Sequence, residues 1–251
     1  TTFAPSSSSP TLTRLRQSLS NLCPLPRQYL PLPWQEVQRA LVQFGAVAAL
    51  CRMATTPPIE AHVKEEVTLV LARLATNPAH TEALMASATS VLIDSLQGSG
   101  AELTLVAAAA LQHLVSTAKG RAEIIAGGIA PCLKVLAQQG GAEETILHML
   151  AILQQLVVES KGRLAVGGAN AAYPLVKLAT CAGSTGKTKE AAAVILCSLA
   201  QEKSELPALV SAGAAAPLTA LLRDGATAAQ EAAAFAIRQL TTVQTRFAAG
   251  P

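Results

Sequence analysis

The chain has 251 residues, 51% of them hydrophobic and only 3% aromatic, with a formal net charge of +3. So weak a positive balance argues against nucleic acid as a partner, which needs a clustered basic face. The mean hydropathy is +0.38, yet no run reaches the ~18 uninterrupted apolar residues of a membrane span, so no membrane insertion is expected. With so few aromatic rings, the interior must be built from Ala, Leu and Val, which let helices approach closely. Ala and Leu are also strong helix formers, so the expectation is an all-α chain.

Thr1 to Pro10 is rich in Ser and Pro and reads as loop. Leu12, Leu15, Leu19 and Leu22 then make an apolar stripe at helical spacing, predicting a helix near 12–23. A Pro-rich stretch, Pro24 to Pro33, follows. From there one unit recurs: a short helix, a sharp turn at Gly, a second helix, a loop and a long third helix. The short helices are expected at Gln35 to Phe44, Ala79 to Ala86, Arg121 to Ala126, Lys161 to Val166 and Ser204 to Ser211. The turn-and-second-helix segments are GAVAALCRMA from Gly45, SATSVLIDSL from Ser87, GGIAPCLKVL from Gly127, NAAYPLVKLA from Asn170 and GAAAPLTALL from Gly213. They start 40 to 43 residues apart. A glycine at the turn supplies a backbone geometry that a β-carbon would strain. Pro131 and Pro217 suit the first turn of the second helix.

The long helices are expected from Lys64, Glu102, Glu143, Lys189 and Gln230. Each opens with a Glu, expected in the first turn against the positive end of the helix dipole. On the second of them, Leu103, Val106, Ala110 and Leu114 share one face.

A self-similar period of ~40–47 residues belongs to helical solenoids. The glycine before the second helix and the three-helix count make the chain resemble the armadillo repeat family. The resemblance covers residues 34–242. It implies a right-handed α-α superhelix of about five repeats, 34–76, 77–118, 119–160, 161–202 and 203–242. Residues 1–33 are expected to hold a partial repeat, with the helix near 12–23 either its third helix or a separate capping helix. Residues 243–251 are expected as a tail or the start of a further repeat. Both ends then read as cut from a longer protein. Terminal repeats lacking neighbours would expose apolar faces and make the fragment poorly soluble.

The resemblance also implies where binding occurs: a long concave groove lined by the third helices. Aligned on the ends of those helices, the groove positions are Asn21, Arg73, His113, Gln155, Ser198 and Gln239. One turn earlier stand Gln17, Leu69, Ala109, Ala151, Val194 and Phe235. Peptide-binding members of the family carry Asn at the first set and Trp at the second. Here only Asn21 matches and no Trp does, so an importin-like adaptor for basic peptides is not expected. The mixed polar row is either the contact surface for a dedicated protein partner, with Phe235 an apolar anchor, or a solvated face.

No enzyme signature is present. His62, His80, His113 and His148 stand alone, without a second ligand at metal spacing. Gly183 to Thr188 reads GSTGKT, but a phosphate-binding loop needs Gly where Cys181 stands and a preceding strand. No cofactor, metal or small-molecule substrate is expected. The cysteines, Cys23, Cys51, Cys132, Cys181 and Cys197, are far apart, odd in number and set in helical patterns as small apolar residues. They read as reduced structural thiols of a reducing, cytoplasmic compartment. The expected function is a non-catalytic scaffold for protein partners. Alternatives are an architectural subunit of the ciliary axoneme or another cytoskeletal complex, and the substrate-recruiting part of a U-box ubiquitin ligase.

Overall fold

The computed structural model describes residues 34–55, 61–75, 77, 80, 84, 88–97, 100–138 and 142–248. The expected helix near 12–23, Asn21 and Gln17, Cys23, and most of the short helix at 79–86 lie outside them. Among the described residues there are fourteen helices and no strand. They are α1 (Trp34–Gln43), α2 (Ala46–Thr55), α3 (Ala61–Ala75), α4 (Ala88–Ser95), α5 (Ala101–Val115), α6 (Ala118–Gly127), α7 (Ala130–Ala137), α8 (Glu143–Leu156), α9 (Ser160–Gly168), α10 (Ala172–Thr180), α11 (Gly186–Leu199), α12 (Leu206–Ala212), α13 (Ala215–Asp224) and α14 (Thr227–Ala248). No single helix among them is long and apolar enough to cross a membrane.

In the four units whose turn is described, a left-handed residue stands between first and second helices; the turn expected at Ser87 lies outside the described residues. The four are Gly45, Gly128, Asn170 and Gly213, with φ of 69°, 95°, 61° and 79°. Asn is one of the few residues besides Gly that enters this region routinely, which explains the exception at 170. The third unit turns at Gly128, one residue after the expected Gly127. At Gly213 the turn closes with two hydrogen bonds, Gly213 N–H to the Val210 carbonyl and Ala214 N–H to the Leu209 carbonyl, both 3.0 Å. That pairing is a Schellman motif. It sends α13 off at 87° to α12.

Four of the third helices, α3, α5, α11 and α14, begin one to three residues earlier than expected, and α8 begins at Glu143 as expected. A carboxylate occupies the first turn only in α5 (Glu102) and α8 (Glu143, Glu144). In α3, α11 and α14 it falls later. At α11 the Thr185 hydroxyl caps the helix instead, accepting from the Thr188 N–H at 3.4 Å. α14 runs to Ala248, so residues 243–248 continue the helix where a tail or new repeat was expected.

Packing follows the repeat. The third helices α3, α5, α8, α11 and α14 pack side by side in one continuous layer. The second helices α2, α4, α7, α10 and α13 form a parallel row behind them. Leu71, Leu74, Leu111, Leu114, Leu150, Leu153 and Leu156 are completely buried between the layers. Each such side chain contributes roughly 1.5–3 kcal/mol by leaving water. Buried Ala107, Ala108 and Ala110 keep α5 close to its neighbours. The result is one contiguous core along the whole described array.

Polar clamps tie the junctions of α5 with α6 and of α8 with α9. Arg121 on α6 donates from Nη1 to the carbonyls of Val115 and Ser116 at the end of α5, both at 3.4 Å. Its Nε also reaches forward to Glu159, at 2.9 Å. Arg163 on α9 repeats the arrangement, donating to the Val157 and Val158 carbonyls at 3.2 and 3.1 Å and to Glu202 at 2.8 Å. In the first unit Gln38 takes this position. It donates to the Arg73 carbonyl at 3.1 Å and accepts from Asn77 at 3.3 Å. Beside each Arg a glycine lets the first helix approach: a β-carbon on Gly120 or Gly162 would sit 1.9 Å from the carbonyl oxygen of Leu114 or Leu156. The recurrent Lys-Gly-Arg at 119–121 and 161–163 was the available sequence signal for these clamps.

Candidate protein-binding surface

The third-helix layer turns two successive rows of side chains outward, one residue per helix. Arg73, His113 and Gln155 are exposed in the last turns of α3, α5 and α8; Ser198 in α11 and Gln239 in α14 are half-buried. One turn earlier Leu69, Ala109, Ala151 and Val194 are half-buried, and Phe235 is 39% exposed. Leu105 and Leu147, a further turn back, are also half-buried. An apolar floor therefore runs along the layer, with a polar row on the side of the helix C-termini.

The polar row has varied capacity. The Ser198 hydroxyl is occupied, donating to the Val194 carbonyl at 3.2 Å. The Gln155 side chain makes no hydrogen bond within the described residues. The guanidinium of Arg238 lies 5.3 Å from the Phe235 ring centroid, a cation–π distance that anchors the ring on α14.

On the side of the helix N-termini each third helix carries an exposed carboxylate: Glu65, Glu102, Glu144, Glu190 and Glu231. None of these five is in an ion pair within the described residues. Between adjacent third helices, the His148 ring Nδ1–H donates to the Gln112 side-chain oxygen, locking α8 to α5.

Other groups singled out in the sequence have structural places. Among the described residues no three His, Cys, Asp or Glu converge as a metal site would need. Within GSTGKT, Thr185 is the N-cap and Gly186 to Thr188 open α11, after helix α10 rather than a strand. Lys189 faces a cleft of about 330 Å³ shared with Pro217 and Leu221 of α13. The thiols of Cys51, Cys132 and Cys197 are buried, and burial pushes their pKa values up to about 11, 12 and 12. Cys181, expected in an apolar helical position, is exposed at the C-cap of α10. There the chain leaves the helix in extended geometry, and the side chain leaves the packed layers with it.

Solved structures decide the fold. A designed armadillo repeat protein, YIII(Dq)4CqI, superposes with a TM-score of 0.65 at 20% identity, over 94% of this chain and 96% of its own. The fold is an armadillo-type solenoid. A second armadillo design, YIII(Dq.V1)4CPAF in complex with the peptide (KR)4, matches with a TM-score of 0.64 at 21% identity, over 93% of this chain and 95% of its own. Computationally designed armadillo repeat proteins for modular peptide recognition match with a TM-score of 0.64 at 20% identity, over 90% and 99% of the two chains. No protein-family model and no curated protein matches the chain.

Proposed function

We propose that this armadillo-type array is a non-catalytic scaffold whose third-helix surface receives a segment of a protein partner. The observation that carries the reading is the unbroken apolar floor of Leu69, Ala109, Ala151, Val194 and Phe235 beside a polar row, continuous over five helices. Armadillo designs of the same fold are named for peptide complexes and peptide recognition, which supports the same use of the array here. A rigid layer of this kind binds without first being ordered, so little of the contact energy is spent on organising the receptor. The residues assigned to the contact are Arg73, His113, Gln155, Ser198 and Gln239, with Phe235 as the apolar anchor. Asn21 extends the row if residues 12–23 form a preceding third helix.

The test is affinity purification from the source organism beside a variant carrying His113→Glu, Gln155→Glu and Ser198→Arg, with mass spectrometry of both. Loss of a stoichiometric protein from the variant alone supports the assignment. Equal recovery from both places the contact on another face and rejects it.

A further inference from the structure

We propose that the occupant of the third-helix surface is an amphipathic α-helix with heptad-spaced apolar residues and a basic flank. The inference rests on the reading of that surface as the binding site and names the partner's chemistry.

An extended segment brings unpaired backbone N–H and C=O groups, which must find partners once buried. This surface is poorly equipped to supply them. Of the five described polar positions only His113, Gln155 and Gln239 carry a group able to donate and accept together, fewer than one per repeat. Arg73 only donates, and the Ser198 hydroxyl, its proton given to the Val194 carbonyl, can only accept. The row one turn earlier is wholly apolar. An α-helix satisfies its own backbone and asks of a groove only an apolar floor. The floor has the shape for one: Ala109 and Ala151 are small at its centre, flanked by Leu105, Leu147 and Val194.

The spacing also agrees. Packed helices lie about 8–10 Å apart, so each repeat advances the floor by about that distance. Seven residues of an α-helix rise about 10.5 Å. One heptad of the partner therefore spans one repeat, and its apolar stripe meets each third helix in turn.

Charge fixes the flank. Glu65, Glu102, Glu144, Glu190 and Glu231 place one exposed carboxylate per repeat on the side of the helix N-termini, two turns before the polar row in α3, α11 and α14 and three turns before it in α5 and α8, where α11 carries the exposed Lys187. The opposite row holds no carboxylate and carries Arg73 and His113. A partner helix with Lys or Arg along one flank meets this predominantly acidic edge.

The probe is a synthetic peptide of four heptads, with Leu at two positions of each heptad and Lys at one flanking position. It is titrated into the whole chain in physiological salt, reading fluorescence anisotropy and the helicity of the bound peptide. Binding in helical form is expected, weakened at least tenfold when the flanking Lys residues are changed to Glu. Glu102→Lys with Glu144→Lys should largely abolish that preference, and Ala151→Trp should weaken binding at least tenfold. Circular dichroism of each variant checks that these surface changes leave the array folded. Equal affinity of the wild-type chain for the Lys and Glu peptides overturns the proposal, as does no binding of either. Tighter binding of a proline-interrupted, non-helical version also overturns it. If the affinity purification above loses a partner in the groove variant while the helical peptide fails, the binding surface stands and the helical occupant falls.

Discussion

Gly162 tests how tightly the units are docked. Its β-carbon position lies 1.9 Å from the Leu156 carbonyl oxygen, 2.7 Å from the Leu156 carbonyl carbon and 3.4 Å from its Cα. All three are backbone atoms, so no rotamer change can make room. To restore ordinary contact, α9 must retreat from the end of α8 by about 1.5 Å, in an interior packed too densely to absorb it. That retreat stretches the Arg163 hydrogen bonds to the Val157 and Val158 carbonyls, now 3.2 and 3.1 Å. Overpacking of this severity costs about 3 kcal/mol, and the helix preference of Ala over Gly returns about 1 kcal/mol. The expected net loss for Gly162→Ala is therefore about 2 kcal/mol. Gly168 lies in the same helix, and nothing comes within 4 Å of its β-carbon position. Gly168→Ala should be neutral or stabilising by up to ~1 kcal/mol. Urea unfolding of both variants, followed by circular dichroism, reads the difference. Equal stability of the two would refute the close-docking argument.

Three further outcomes follow from other parts of the fold. Gly213→Ala, at φ 79°, should lose roughly 1–2 kcal/mol in the same urea assay, while Asn170→Gly at the equivalent turn should lose nothing. The Ser160 hydroxyl, and then Arg163, hold the Glu202 carboxyl below its ordinary range. Its contribution to stability is therefore present above the unfolded carboxylate value of about 4.3 and is lost as pH falls through the folded value. The gap in melting temperature between wild type and Glu202→Gln should accordingly close on acidification, and a gap independent of pH would count against the clamp. In a Cys23→Ser background, the native protein should react with a thiol reagent at Cys181 first, because burial keeps Cys51, Cys132 and Cys197 as neutral, shielded thiols. Peptide mapping of the labelled protein checks this.

The repeat was legible because its cause is periodic. The turn takes a left-handed residue in each of the four units where it is described, and the third helix needs its apolar stripe once per unit, so Gly45, Gly213 and the Leu pattern around Leu111 and Leu153 announce themselves. Asn170 stood in the right place for the same reason. Helix starts were less legible: a carboxylate marks a helix N-terminus only when nothing else satisfies the free N–H groups, and at α11 Thr185 does so first. The clamps of Arg121 and Arg163 were marked only by the recurrent Lys-Gly-Arg, which does not name their acidic partners, 38 and 39 residues away. The candidate surface was half legible. Alignment on the third-helix ends picked out the row from Arg73 to Gln239, but the carboxylate row beside it drew attention only as a helix-capping signal.

The central claim is that the third-helix surface holds a protein partner. Photo-cross-linking tests it most directly, with a benzoylphenylalanine placed at position 151 on the floor or at position 164, where Leu164 is 46% exposed on the first helix α9. The account predicts a discrete cross-linked partner from position 151 and none from position 164. A partner captured from position 164 and not from 151 would contradict it.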